Sequence, residues 1–291
     1  MPPIEPSTSL ERTYRYLRIG VASCVIVIFV SVAVAAASVG WLTSVSDYFY
    51  TSARNGFVGA LIAVTLALIA LSGSGAERFL LDAAALFAPL IALVPTTVAP
   101  RTIPGVTAPC RFRCFPAEYE ADAANGVTTY LVVGTLFVLV TVLLIALRQA
   151  SLKTLWLSLV VTVAVLAAVG LTWTLARDAF LQQGHFAATI AFFGLFAAVA
   201  VRNAFPRPGT APATVFRVLY TVIAAALGGV LVLYVVLLPQ AERNGLPIVL
   251  IAEAAALALF CAFWVVQGIE KWHDDDPTFA LRDAGARERV G

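Results

Sequence analysis

Long apolar runs separated by short polar segments dominate the chain. A helix that crosses a bilayer needs roughly 20 apolar residues, and eight runs come close to that length or exceed it. They cover residues 17–42, 51–71, 79–95, 126–147, 152–176, 185–201, 213–238 and 247–268. The pattern predicts an all-α polytopic transmembrane bundle of about eight spans. The third and sixth runs are the shortest, so they would be dropped first if the count is wrong.

Composition supports the bilayer as the solvent for most of the chain. Of the 291 residues, 60% are hydrophobic and only 12% are charged, against roughly 25% charged in soluble domains. The mean hydropathy is +0.91. A net charge of +2, without a basic stripe, gives no basis for nucleic-acid binding. The predicted partners are membrane lipids, and no protein partner is predicted.

The distribution of Lys and Arg sets the orientation. With the N-terminus in the cytoplasm, thirteen of the 19 basic residues fall inside and six outside, as the positive-inside rule requires. The first run, of about 24 apolar residues, is too long for the core of a signal peptide. The prediction is a plasma-membrane protein with a cytoplasmic segment 1–16, a membrane domain 17–271 and a disordered cytoplasmic tail 272–291. Loop 96–125 is then extracytoplasmic.

A polar stretch, "SVSDYFYTSARNGFVG" at residues 44–59, follows the first run. By the predicted topology it lies at the outer interface, where tyrosines are favoured. If the chain is helical from Ser46, then Asp47, Tyr50 and Arg54 share one helix face. This face needs polar partners, and the whole stretch is therefore a candidate ligand site.

Two ionisable residues in the later runs are further candidates. Glu253 lies six residues after Pro247, where a carboxylate is costly unless it is paired, protonated or wetted. An Arg54–Glu253 ion pair that fixes helix packing is the alternative to a functional site. His185 opens the sixth run, and a single such histidine is more often a satisfied polar residue than a ligand. Asp47, His185 and Glu253 share a predicted depth and could converge.

Four cysteines divide into two pairs. Cys110 and Cys114, in "PCRFRCFP", fall in the outer loop, where an oxidising compartment favours a disulfide; two free thiols are the alternative. No histidine lies nearby, so a zinc site is not expected there. Cys24 and Cys261 lie inside spans, where apolar packing is expected. No metal and no cofactor is predicted.

Four segments resemble a family of uncharacterised multi-pass membrane proteins of GC-rich bacteria. They are "SVSDYFYTSARNGFVGALIA", "APLIALVPT", "GHFAATIAFF" and "FWVVQGIE". The resemblance covers most of the chain and implies no activity. More remotely, the "SVSD" stretch and the histidine-led run are similar to the superfamily of damage-regulated autophagy modulators and GPI-anchor remodelling membrane proteins. That likeness implies lipid handling and maps to Ser46, Asp47 and His185.

The chain differs from the alkaline ceramidase-like hydrolases in its histidines. That family has a serine–aspartate pair and a zinc site of three histidines. This chain has one membrane histidine and no H-x-x-x-H in its last run. A zinc amidase of that type is therefore not expected.

Three functions stay open at this point. The sequence favours a non-enzymatic role, binding or organising a lipid or other amphiphile at the outer leaflet, with Asp47, Arg54, His185 and Glu253 as the headgroup site. The first alternative is a membrane-embedded hydrolase or transferase that uses Asp47, His185 and Glu253 around a shared ion or water. The second is a small-solute transporter, which needs broken helices or a polar path at the midplane.

Overall fold

The computed structural model describes residues 8–73, 75–206, 212–244 and 247–272, without the side chains of 75, 76 and 237–244. Within these ranges the chain forms eight long α-helices and no strand. They are α1 Ser9–Val39, α2 Arg54–Leu71, α3 Gly75–Leu93, α4 Glu120–Ala146, α5 Leu152–Leu175, α6 Arg177–Ala204, α7 Thr214–Asn244 and α8 Ile248–Glu270. Most of the predicted tail, from residue 273 onward, lies outside the described residues.

Seven of these helices are long and apolar enough to cross a membrane. The eighth helix, α3, has 19 residues, of which only 77–93 have described side chains, and it carries Glu77, Arg78 and Asp82 near its start. Of the two runs expected to be the least certain spans, the third is the one that is not among these seven helices. The sixth belongs to a helix of 28 residues that meets the criterion. The all-helical class is confirmed, and the apolar helices indicate a membrane-embedded protein.

Six helices form a closed ring and two lie outside it. Around the ring α1 packs on α2, α2 on α3, α3 on α6, α6 on α7, α7 on α8, and α8 on α1. The α4–α5 hairpin packs against α3 and α6 from outside. In their most apolar 18-residue windows, only 6% of α4 and 11% of α5 is buried, against 44% of α6. The hairpin therefore presents most of its apolar surface to the bilayer.

Aromatic side chains fill the inside of the ring. Phe196 of α6 contacts Phe260 and Phe263 of α8, with ring centroids 4.5 and 4.8 Å apart. Trp264 and Phe263 are 1% and 0% exposed. Large aromatic side chains bring α6 and α8 into contact across the ring of helices, although their backbones seldom approach each other.

Two local predictions about helix boundaries are wrong. Residues Ser46–Tyr50 form a short 3-10 helix that stops at an extended Thr51, and α2 begins at Arg54. The Thr51 hydroxyl donates to the Tyr48 carbonyl and accepts from the Ala53 N–H, so local side-chain bonds interrupt the helix. Asp47 and Arg54 therefore do not share a helix face. His185 does not open its helix either, since α6 begins eight residues earlier, at Arg177.

The loop between α3 and α4 folds back on itself. Val98 and Cys114 form an antiparallel bridge with two backbone hydrogen bonds. A disulfide joins Cys110 to Cys114, and the five-residue ring that it closes contains Arg113. The loop is shorter than predicted because α4 begins at Glu120. These links fix the segment that carries Arg113 near the ends of the neighbouring helices.

Candidate functional site

A polar cavity of about 190 Å³ lies at the end of the bundle where α3 ends and α8 begins. Its wall comes from the segment before the 3-10 helix, the α3–α4 loop, α6, α7 and α8. The lining residues are Ser44, Thr96, Thr97, Phe112, Arg113, Gln182, Gln183, His185, Phe186, Tyr234, Val249 and Glu253. Parts of the chain that are far apart in sequence thus contribute polar groups to one concave site, as in most ligand pockets.

Glu253 is at the centre of the hydrogen-bond network beside this cavity. One carboxylate oxygen, Oε2, accepts from the Ser44 hydroxyl at 2.8 Å and from the Ser46 backbone N–H at 3.1 Å. The other, Oε1, lies 3.3 Å from the Ser46 hydroxyl oxygen. The residue is only 8% exposed. We call Ser44, Ser46, His185 and Glu253 the Glu253 cluster.

The start of α8 is fixed to the chain that carries the serines. The N–H of Leu250, one of the first-turn donors that lack a partner within their own helix, donates to the Thr43 carbonyl at 3.0 Å. Glu253 follows about one turn later on the same helix. This backbone contact holds the carboxylate opposite Ser44 and Ser46.

His185 is oriented by the end of α3. Its Nδ1 lies 2.7 Å from the Val94 carbonyl oxygen, which follows the last residue of α3 and has no acceptor role inside the helix. A carbonyl only accepts, so Nδ1 carries the hydrogen, and in the neutral imidazole Nε2 is then an acceptor. Nε2 lies 3.0 Å from the Ser46 hydroxyl oxygen. The ring is therefore aimed at Ser46.

When Glu253 is ionised, the Glu253 cluster has more acceptors than hydrogens. The Ser46 hydroxyl carries one hydrogen and faces two acceptors, His185 Nε2 and Glu253 Oε1. In the part of the chain that the structure describes, no other side chain donates to either atom. Since a buried acceptor without a donor costs about 1–3 kcal/mol, a hydrogen donor within the cavity would stabilise the cluster.

Asp47 lies one step away from this cluster, in an ion pair. Its Oδ1 accepts from Arg113 Nη2 at 2.8 Å, and its Oδ2 accepts from the Thr43 hydroxyl at 2.6 Å. Arg113 also donates to the Thr97 carbonyl. The Asp47 side chain is fully buried, whereas that of Arg113 is 16% exposed. Asp47 therefore positions Arg113 at the cavity wall and does not itself line the cavity.

The electrostatics of this ion pair stabilise both charges. Burial by itself lowers the pKa of Arg113, but the Asp47 carboxylate outweighs burial and holds that pKa above its usual value. Burial, followed by Asp47, raises the pKa of the Tyr50 hydroxyl, which keeps that group neutral. The cavity thus has one fixed cation, Arg113, in its wall.

A second, apolar recess of about 30 Å³ lies on another side of the cluster. Ser46 and Glu253 line it. Its other walls are apolar apart from Thr189 and come from the 3-10 helix segment, α2, α3, α6 and α8: Val45, Phe57, Leu61, Ile91, Phe192, Phe193 and Leu257. Glu253 therefore separates a polar cavity from an apolar recess.

The structure brings together some of the predicted site residues and separates others. Ser46, His185 and Glu253 are in contact, and Asp47 is next to them. Tyr50 does not line the cavity; it donates to the carbonyl of Thr96, which does, and packs edge-on against Tyr119. Arg54 pairs with Asp122 at 2.7 Å, so the Arg54–Glu253 pair, the alternative to a functional site, does not form. The cation near Glu253 is Arg113, from the loop.

The arrangement of carboxylates and histidine does not form a metal site. Across the described residues, no three His, Cys, Asp or Glu side chains are placed to hold one ion. Asp47 directs both carboxylate oxygens to Arg113 and Thr43. The hydrolase alternative required Asp47, His185 and Glu253 to converge on a shared ion or water, and in the described residues they do not converge on an ion.

Ser44 and Arg113 were not among the predicted site residues. Ser44 was inside the quoted polar stretch, two positions from Ser46, and an alternating pair of serines beside a buried carboxylate could have drawn attention to it. Arg113 was counted only as an outer charge. Its position between two cysteines that form a disulfide was the available signal, because a constrained loop can hold a cation in place.

The fold and site define an all-helical, membrane-embedded protein with a polar cavity at one end of its bundle. Comparison with known proteins adds no relative: no protein-family model matches the chain, and neither curated proteins nor solved structures give a match. The site alone is therefore the basis for assigning a function.

Proposed function

We propose that the protein binds a lipid or other amphiphile at the outer leaflet of the plasma membrane, with the polar headgroup in the 190 Å³ cavity. The observation that carries the proposal is the cavity itself, whose wall contains Arg113, His185 and Glu253 at one end of a bundle of apolar helices. A binding site of this kind needs a few fixed polar groups in a concave wall.

The shortage of hydrogen-bond donors in the Glu253 cluster supports a ligand with hydroxyl or ammonium hydrogens. Such a group would supply the hydrogen that Ser46 cannot give to both His185 and Glu253. Arg113 gives the same cavity a cation for a phosphate or other anionic part of the headgroup. An amphiphile with both kinds of group matches the wall.

The topology is part of the proposal. We propose eight spans with both termini in the cytoplasm, which puts the α3–α4 loop and the cavity outside. The Cys110–Cys114 disulfide supports this side, because disulfides persist in oxidising compartments. The charged first turns of α3 then lie at the cytoplasmic interface. Its 19 residues extend over about 28 Å, close to the roughly 30 Å of a hydrocarbon core.

Native mass spectrometry of the purified protein in detergent tests the binding proposal. The wild type should retain lipid stoichiometrically. Gln182→Leu/Gln183→Leu, which replaces two exposed side chains of the cavity wall, should lose it. Gln149→Leu, an equally exposed glutamine in the turn after α4, is the matched control and should keep the lipid. Absence of bound lipid from the wild type, or equal loss from both variants, would contradict the proposal.

Cysteine labelling tests the orientation. After reduction, a membrane-impermeant maleimide should label Cys110 and Cys114 from outside intact cells. Cys24 and Cys261 lie within α1 and α8 and should stay unlabelled. Labelling of the loop cysteines only after the cells are opened would place the cavity on the cytoplasmic side.

A further inference from the structure

The Ser46 hydroxyl has the surroundings of an activated nucleophile. A serine needs a neighbouring base within about 2.6–3.2 Å, and that base needs a third group to orient it. His185 Nε2 lies 3.0 Å from Ser46 Oγ, and the Val94 carbonyl holds Nδ1 from the other side at 2.7 Å. Packing alone does not require this aligned series of three groups.

We propose that Ser46 and His185 are a nucleophile–base pair that removes the acyl group from a carboxylic ester of the bound amphiphile. The inference rests on the proposed function in that the substrate enters the same site. It goes beyond that function by assigning a reaction, acyl transfer, and its substrate class.

The tautomer of His185 favours this role. Because the Val94 carbonyl accepts from Nδ1–H, the lone pair of the neutral imidazole is on Nε2, which faces Ser46. The Ser46 hydrogen then belongs to the bond with His185, which is shorter than the 3.3 Å contact with Glu253. The carboxylate of Glu253 lies beside the same hydroxyl and stabilises the positive charge that His185 acquires during reaction.

The two voids place the ester bond near Ser46. The apolar recess is lined by Ser46 and by side chains such as Phe57 and Phe192, which suit hydrocarbon. The polar cavity, on the other side of Glu253, suits a headgroup. The recess has room for only about one or two carbons of an acyl chain, so an ester whose headgroup occupies the polar cavity would place its carbonyl at the Glu253 cluster, beside Ser46.

The reaction balances with a hydroxyl compound as acceptor. Ser46 Oγ attacks the carbonyl carbon and forms the new C–O bond, while its proton passes to His185 Nε2. The bond from carbon to the leaving oxygen breaks, and that oxygen takes the proton from Nε2. In the second half, water or another hydroxyl compound attacks the acyl-serine and gives its proton to Nε2. His185 returns that proton to Ser46 Oγ as the acyl group leaves.

A fluorophosphonate tests the first half of this reaction. Such a reagent phosphonylates an activated serine, with fluoride as the leaving group. The purified wild type is treated with one short-chain and one long-chain reagent, and the modified residue is located by peptide mass spectrometry. We expect the adduct on Ser46. His185→Asn should slow its formation by roughly 100-fold or more, the usual contribution of a general base.

The matched control is Ser158→Ala. The Ser158 hydroxyl donates to the Asp82 carboxylate at 2.9 Å, so this serine also lies next to a carboxylate but is bonded to no imidazole. Its variant should react like the wild type. If His185→Asn does not give a folded, monodisperse protein, the location of the adduct in the wild type still decides whether Ser46 is activated.

The possible results distinguish acyl transfer at Ser46 from lipid binding in the cavity. The absence of a Ser46 adduct with both reagents overturns the inference, even if native mass spectrometry shows retained lipid. An adduct that forms equally fast in folded His185→Asn overturns the role of His185 as the base. An adduct on Ser46 without any retained lipid supports the inference and contradicts lipid binding.

Discussion

Two of the buried polar clusters in the described part of the bundle differ in how fully their hydrogen-bonding groups are paired. The first is the Glu253 cluster. The second, which we call the Asn203 network, joins Glu77 of α3, Asn203 of α6 and Gln267 of α8 near the other end of the bundle. Glu253 and Gln267 are 14 residues apart on α8, which is about 21 Å along the helix axis. One helix therefore supplies a polar side chain to each cluster.

In the Asn203 network, both amide hydrogens of Asn203 have acceptors within the bundle. The Asn203 amide nitrogen donates to Glu77 Oε1 at 3.1 Å and to the Val199 carbonyl at 3.0 Å. Gln267 donates to Asn203 Oδ1 at 3.5 Å. Asn203 therefore links three helices with both of its amide hydrogens bonded. The Glu253 cluster, in contrast, has one Ser46 hydrogen for two acceptors and lies beside a cavity that can receive a ligand.

The largest expected effect comes from the ion pair behind the Glu253 cluster. Arg113→Ala should lower the free energy of unfolding by roughly 3–5 kcal/mol, because it leaves the buried Asp47 carboxylate without its cation. Arg54→Ala removes an ion pair whose side chains are 39% and 43% exposed, so its cost should be about 0–1 kcal/mol. Unfolding in sodium dodecyl sulfate measures both, and equal losses would contradict the difference.

Removal of the central carboxylate should come next. Glu253→Ala takes the acceptor from the Ser44 hydroxyl and the Ser46 N–H, and should cost roughly 1–3 kcal/mol. It should also abolish lipid retention in native mass spectrometry. Glu253→Gln keeps one acceptor oxygen and should be the more stable of the two variants. Full lipid retention by Glu253→Ala would show that the cluster only supports packing.

Reduction of the Cys110–Cys114 disulfide should have a smaller effect on stability. A ring of five residues restricts the unfolded chain little, and the loop-closure relation gives roughly 2 kcal/mol. Because Arg113 lies inside the ring, reduction should weaken lipid retention by more than this loss of stability accounts for. Thermal unfolding and native mass spectrometry, with and without reductant, measure the two effects. If reduction lowers thermal stability but leaves lipid retention unchanged, the loop does not contribute to ligand binding in the cavity.

The smallest effect is expected in the Asn203 network. Gln267→Leu removes the hydrogen bond that Gln267 donates to Asn203 Oδ1, and should cost about 1 kcal/mol, the low end for a buried acceptor left without a donor, because that bond is long at 3.5 Å. Lipid retention and the reaction of Ser46 with a fluorophosphonate should be unchanged. A loss of lipid in this variant would show that the two ends of the bundle are coupled.

Part of the site was predictable because membrane burial makes single residues conspicuous. Glu253 stands out as a carboxylate in an apolar run, and "SVSD" stands out between two such runs. Predicted depth put Asp47, His185 and Glu253 at one level, and in the structure His185 and Glu253 both contact Ser46 while Asp47 pairs with Arg113 beside them. Depth could not assign partners, however, so Arg54 was expected beside Glu253. In the structure Ser44 and Ser46 contact Glu253 instead, and Arg113 lines the same cavity.

The sequence by itself determined the all-helical class and most of the helices, because a bilayer imposes a local rule of length and apolarity on each run. The closed ring, the cavity and the hydrogen bonds of the cluster were decided only by the tertiary structure. Ser44 and Glu253 are 209 positions apart, and Asp47 and Arg113 are 66 apart. Such contacts depend on which helices are neighbours, and hydropathy along one helix contains no information about its neighbours.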